Sequence, residues 1–411
     1  MKKQPTIVGI DGGASKVSAH IIEASENGKN FSLGKDYSVK EYCNYPDFQL
    51  EFKPVSLPIQ LEQTQNNNIV LTPAEIKQSK AYYSAFIEVI SDLVELTKSE
   101  NVLIGIGMPG VKTTDKRGIA TMANGPRIPN FTTEIEQQLS ITGINLAQPI
   151  TKLGSDADYC GIGEECAENG AFCNIENAYY LGGGTGAADA LKLHGKLISF
   201  DESKDWIAKT WEMSDANGKS MEIYCSANGI QSVYSSIIGI PQSEIIYNNI
   251  YLDQILSKAN DGEKEALQTW EIVIENLSLL ILERITTIYR GWQNNYSFIN
   301  PNKPPLDSNH TFKNALLDRI VIGQRLGILF QNPLAQEYLI ESLLNNLAEL
   351  ISTSIFLDER AKLHYLKDSK FDNDIIVTSQ LREAPALGAG IDTYKNMKSK
   401  IQISDIRVIR G

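Results

Sequence analysis

Apolar residues alternate with small or polar ones near the start of the chain, in "TIVGIDGGASKVSAHII" (residues 6–22). A strand-like run of Ile7, Val8, Gly9 and Ile10 meets an acid and two glycines, and the alternation then resumes. The pattern predicts a strand, a tight glycine turn and a second strand. Residues 44–70, rich in Pro, Gln and Asn, read as an irregular surface excursion. After them the period changes. "TPAEIKQSKAYYSAFIEVISDLVELTKSE" opens with Thr-Pro-x-Glu and carries apolar residues at helical spacing. "NVLIGIGMPGV" is then a short buried strand closing in a Gly/Pro turn, and this β-β…α-β order predicts an α/β domain over residues 1–124.

A second unit is expected over residues 125–390. "TTEIEQQLSITG" reads as a helix, and "PITKLGSDADYCGIGEECAENG" as strand, turn and helix. "NAYYLGGGTGAADALKLHGKLI" again gives strand, glycine turn and strand, repeating the opening pattern. "KEALQTWEIVIENLSLLILERITTIYRGW" and "PLAQEYLIESLLNNLAELISTSIF" are the clearest later helices. "DRIVIGQRLG" and "NDIIVTSQL" are strands. "APALGAGIDTYKNM" predicts a closing helix, and residues 391–411 are expected to pack back on the N-terminal domain.

Composition narrows the function. The chain has 411 residues, 42% hydrophobic and 21% charged, so two globular domains are the natural expectation. A net charge of −12 argues against a duplex nucleic-acid binder. No stretch approaches a membrane span, and no signal-peptide core precedes Asp11, which points to a soluble, cytoplasmic protein without a membrane partner. The five cysteines form no C-x-x-C pair and read as buried thiols. The four histidines are scattered without metal-ligand spacing, and no G-x-S-x-G elbow is present. The four tryptophans, Trp206, Trp211, Trp270 and Trp292, read as packing residues.

Two glycine turns carry the candidate chemistry. In "DGGASK", Gly12 and Gly13 would bring backbone amides to an anion, Ser15 and Lys16 would add a hydroxyl and a cation, and Asp11 would sit near a phosphate-bound Mg²⁺, through water. The plain alternative is a hairpin whose Asp satisfies its own turn. The second loop, with Gly182, Gly183, Gly184, Thr185 and Gly186 after an apolar strand, favours nucleotide phosphate, because a surface hairpin rarely needs so many glycines. "GIGMPG" (residues 105–110) matches G-x-G-x-x-G, but a turn-rich segment follows it where a dinucleotide site needs a helix. A nicotinamide cofactor is therefore not expected. Asp156, between a strand and a helical segment, could take the proton of an attacking hydroxyl. Alternatively Ser155, Asp156 or Asp158 caps the helix.

Taken in order, these segments resemble the ROK family of sugar kinases, within the actin and hexokinase superfamily. "GIDGGASK" is similar to that family's first phosphate motif, "GIGMPG" to its G-I-G-x-P-G strand end, and "ANGPRIPNF" to the sugar-side segment after it. "SDADYCGIGEE" resembles the segment holding the family's catalytic base, "GGGTGAADALKLHGKL" the second phosphate motif, and "MEIYCSANGI" the segment whose Glu contacts sugar. "VIGQRLG" and "APALGAG" resemble the adenosine-side motifs.

The resemblance implies a two-domain, actin-like (ribonuclease H-like) ATPase fold with an interdomain cleft for ATP and Mg²⁺. It implies Asp156 as the base, Asn124 and Glu222 as ligands of a hexose or N-acetylhexosamine, Gly323 and Gly388 on the nucleotide side, and a homodimer. The chain also departs from the family pattern. "KTWE" (209–212) stands where E-x-G-H is usual, no cysteine run precedes Glu222, Ser155 replaces an Asn, and Ala188 and Asp189 replace glycines. No helix-turn-helix precedes residue 6, so the repressor branch is not expected. Two other readings stay open: a nucleotide-binding sensor or interaction protein, and an ATPase activator of the radical-enzyme type. The second would want cluster-ligating cysteines.

Overall fold

The computed structural model describes residues 4–293, 296–298 and 305–409. The chain divides into two units, one formed by the residues up to Glu168 together with those from Glu383 onward, the other by Asn169–Arg382. The division therefore falls after Glu168, not at 124/125, and the chain returns to the first unit at 383, not 391. The cause is packing: the strand and helix after residue 150 join the first sheet, and so does the closing helix (Ala384–Ile409). Of the expected 391–411 segment, residues 410 and 411 lie outside the described residues.

The first unit is built on a five-stranded sheet with β1 (Thr6–Gly12), β2 (Lys16–Ala24), β3 (Phe31–Glu41), β4 (Val102–Gly107) and β5 (Leu153–Gly154), in the order β3-β2-β1-β4-β5. The β1-β2-β3 meander is antiparallel, and β1, β4 and β5 run parallel. Val8 and Ile10 face a core shared with Tyr82, Phe86 and Ile90 of α2 (Pro73–Thr97). That helix starts as its sequence predicts, with Thr72 and Glu75 closing a reciprocal capping box. The opposite face of β1 and β4 carries Gly9 and Gly105, paired across the strands. An added Cβ there would lie 1.9 and 2.0 Å from the carbonyl oxygens of Ala386 and Ala389, so the closing helix rests its backbone directly on the sheet. The remaining helices of this unit are α1 (Leu57–Gln65), α3 (Phe131–Ile141) and α4 (Asp156–Cys166). β3 and α1 lie in segments whose patterns predicted neither, and α1 interrupts the supposed irregular excursion.

The second unit repeats the plan. Its strands β6 (Ala178–Gly183), β7 (Ala187–Leu193), β8 (Lys196–Ile198), β9 (Arg319–Gly323) and β10 (Ile376–Thr378) run in the order β8-β7-β6-β9-β10. The first three are again antiparallel and the last two parallel to β6. The duplication seen in the two glycine turns thus extends to whole sheets. Tyr179, Leu181, Ile320 and Ile322 enter one core with α5 (Ala227–Ile238), α6 (Lys264–Arg290), α7 (Gln324–Phe330) and α8 (Glu341–Thr353). No described helix is long and apolar enough to cross a membrane.

Candidate active site

In the first unit, the β1–β2 turn is held from outside: the Tyr42 N–H donates to the Ser15 carbonyl (3.0 Å) and the Tyr82 hydroxyl to that of Ala14 (3.2 Å). This leaves Ser15 and Lys16 exposed. Gly12 has a packing reason of its own, because a Cβ would come within 2.6 Å of the Phe86 ring and 2.8 Å of Met108. Gly13 is looser, with 3.3 Å to the Lys16 carbonyl. Asp11 lies directly opposite Ser18 in the hairpin. Burial, then the neighbouring Asp156 and Glu383 carboxylates, push its carboxyl up to about 7 against the pull of Lys16.

Asp156 occupies the first turn of α4, half-buried. Ser155 stands at the cap position in extended conformation, yet its side chain makes no capping hydrogen bond. Glu383 immediately precedes the closing helix, and its carbonyl accepts from the Leu387 N–H (3.0 Å). One Glu383 oxygen lies 3.9 Å from His20 Nε2, which shares a 2.8 Å hydrogen bond with Ser18. Burial and Lys16 press His20 down to about 4, so at neutral pH it is uncharged and this contact is not an ion pair. Sequence reasoning passed over Glu383 and counted His20 among scattered histidines. The hairpin register was the available signal, since Asp11 opposite Ser18 and Gly9 opposite His20 put all four on one face.

Asn124 is exposed in the segment after Thr121. Two buried polar clamps hold that segment. Gln60 of α1 accepts from the Met122 N–H (2.7 Å) and donates to its carbonyl (3.1 Å). Arg127, fully buried, is bidentate on Glu75 (2.6 and 2.8 Å) and also donates to Gln63 (2.5 Å) and the Val70 carbonyl (2.9 Å).

In the second unit, the β6–β7 turn is closed by the Gly184 N–H donating to the Gly186 carbonyl (3.0 Å), and tied to the start of α5 by the Ala227 N–H donating to the Gly184 carbonyl (2.8 Å). Thr185 is exposed at its tip. Added Cβ atoms would meet the Cys225 carbonyl from Gly183 (2.3 Å), Gln324 from Gly184 (2.4 Å) and the Glu222 carboxylate from Gly186 (3.0 Å). Glu222 therefore sits beside the second loop, while Asp156 and Asn124 belong to the first unit. Gly323 and Gly388 are buried, and an added Cβ would strike the Tyr180 hydroxyl (2.2 Å) and the Tyr159 carbonyl (1.9 Å). Packing accounts for both without a nucleotide.

The sequence departures are structured too. Asp189 accepts from the Tyr179 hydroxyl (2.6 Å) and from the N–H and hydroxyl of Thr210 (2.8 and 2.5 Å), with the buried guanidinium of Arg284 at 3.4 Å. Glu212 accepts from the Lys209 N–H (2.8 Å). Thus "KTWE" closes a local turn over a buried polar hub. Among the described residues no group of three or more His, Cys, Asp or Glu could hold a metal ion by itself. Asp11, with two acidic neighbours and one cation, suits a hydrated cation brought by a phosphate ligand.

No family model matches the sequence, and no curated protein does. Solved structures are similar over nearly the whole chain. A ROK family protein of Streptococcus pneumoniae TIGR4 in complex with sucrose is 14% identical, with 96% of this chain and 99% of that one covered at a TM-score of 0.53. A ROK family glucokinase from Streptomyces griseus in complex with glucose and AMPPNP is 13% identical, covering 94% and 98% at 0.52. A ROK family transcriptional regulator, a homolog of the E. coli MLC protein, is 14% identical, covering 95% of this chain and 78% of that one at 0.52. The chain has the two-domain α/β fold of these proteins, as the sequence resemblance implies. Enzymes and a regulator share it, so the fold alone does not choose between them.

Proposed function

We propose that the protein is an ATP-dependent kinase that transfers the γ-phosphate to a hydroxyl of a sugar or sugar derivative. The observation that carries this reading is Asp156: a half-buried acid in the first turn of α4, beside an N-cap whose side chain makes no capping bond, and close enough to Asp11 to raise its carboxyl. Two neighbouring acids in different settings suit two roles. Asp156 takes the proton of the acceptor hydroxyl as it attacks in line, a step that depends on positioning and electrostatics. The amides of Gly12, Gly13, Gly184 and Gly186, with Ser15, Lys16 and Thr185, are assigned to the phosphates of ATP. Mg²⁺, when bound with ATP, would neutralise phosphate charge, and Asp11 is the residue suited to hold a water of its shell. Asn124, on its clamped segment, is assigned to sugar hydroxyls, with Glu222 as a second acceptor.

A nucleotide-binding sensor is the second reading. The observation favouring it is that Lys209 and Glu212, where sugar ligands would be expected, are engaged locally: Glu212 accepts from the Lys209 N–H (2.8 Å) and the Lys209 ammonium pairs with Asp201 (3.0 Å). The experiment that separates the two is ADP release from Mg-ATP across hexoses, N-acetylhexosamines and polyols, with Asp156→Asn as control. Stimulation by one sugar that the variant abolishes supports the kinase. Nucleotide binding with no stimulation by any sugar supports the sensor.

A further inference from the structure

The second unit carries a groove that the proposed reaction does not use. It lies between α6 and α8, with the π-helical turn Gln336–Ile340 at its edge, and has a volume of about 720 Å³. Along α6 its wall runs from Leu267 to Leu279, about 18 Å at 1.5 Å per residue. This is the length of a short docked helix.

Three observations mark it as a binding surface. Trp270, 4% exposed, contributes its side chain to the wall of the groove, while its indole N–H has no accessible surface of its own. Leu267 and Tyr338, on opposite walls, remain 42% and 39% exposed. The charged residues of the lining are Glu271, Glu275 and Glu349, with no lysine, arginine or histidine beside them.

We propose that this groove docks an amphipathic helix of a partner protein, with apolar residues on one face and lysine or arginine at i, i+4 spacing along its margin. The spacing matches Glu271 and Glu275, one turn apart on α6. Glu349 faces the other margin. Charge selects the partner. A second copy laid groove to groove would set the same three glutamates against each other, and an acidic helix would meet the chain's net charge of −12 as well.

The test uses the 411-residue chain and two labelled peptides of about five helical turns. One is a leucine/lysine amphipathic helix; the other has glutamate for every lysine. Anisotropy is expected to show the lysine peptide binding at least about tenfold tighter at low salt. A change in tryptophan emission should accompany binding and be lost in Trp270→Phe. The exposed double substitution Glu271→Lys/Glu275→Lys, which leaves the core untouched, should reverse the preference. Equal affinity for both peptides, or a charge-reversed protein that still prefers lysine, overturns the proposal. So does a sedimentation result in which the wild-type chain self-associates and the double variant does not, since the occupant is then a second copy.

Discussion

Replacing Asp11 with Asn should make the folded chain more stable at pH 8. In the native state the Asp11 carboxyl titrates near 7, against 3.8 for an unperturbed side chain. Between these values the native state holds a proton that the unfolded chain has released. Stability attributable to this group therefore falls as pH rises through that window and is lowest above 7. A shift of about three units corresponds to about 4 kcal/mol at 1.36 kcal/mol per unit. Asp11 is half-buried and water screens part of the repulsion, so about 2 kcal/mol is the expected gain for a neutral amide of the same shape. Urea denaturation of both proteins at a series of pH values measures it, and the difference cancels titrations common to both. The gap should be smallest near the unfolded pKa, widen towards pH 7 and stay constant above it. A variant equal to or less stable than wild type at pH 8, or a gap that closes as pH rises, refutes the idea that burial, and after it the Asp156 and Glu383 carboxylates, disfavour a charged Asp11 at this turn.

Three further outcomes follow from the same structure. Asp156→Asn should lower sugar-dependent ADP release by about 10²–10⁴-fold while leaving nucleotide affinity within about twofold in a binding titration. Glu75→Gln leaves the Arg127 guanidinium buried without its counter-charge and should cost about 3 kcal/mol in urea denaturation; a loss below about 1 kcal/mol would show that the Asn124 segment does not depend on this clamp. Gly388→Ala drives a methyl group into the Tyr159 carbonyl and should cost about 1–3 kcal/mol in stability with nucleotide affinity of the folded protein unchanged; the opposite pattern would return Gly388 to the nucleotide site.

Much of the framework could be read along the chain because it is local. The hairpin around Asp11, the capped helix α2, the buried strand β4 and the second glycine turn each announce themselves by period and punctuation. The pieces that escaped have physical reasons. α1 turns an amide inward, since its buried residue is Gln60, so no apolar stripe marks it. β3 is an edge strand with most of its residues open to solvent, and Gly34, Lys35 and Asp36 break its alternation. The unit boundary escaped because the closing helix meets Gly9 and Gly105 across most of the chain's length, a contact no window can see. For the same reason Glu383 became a neighbour of Asp11 only once the helix was seated. The glycines add a second point: Gly12, Gly323 and Gly388 were read towards a ligand, and close packing by itself already requires a residue without a side chain at each of them, whatever their amides bind.

The most direct test of the central claim is to incubate the purified protein with Mg-ATP and each sugar of the panel, and to quantify ADP, inorganic phosphate and phosphorylated sugar together. A kinase with Asp156 as base gives one phosphorylated sugar for each ADP, with little inorganic phosphate, and gives neither product at a comparable rate in Asp156→Asn. ADP matched only by inorganic phosphate, or no phosphorylated sugar from a protein that binds ATP, would contradict the account.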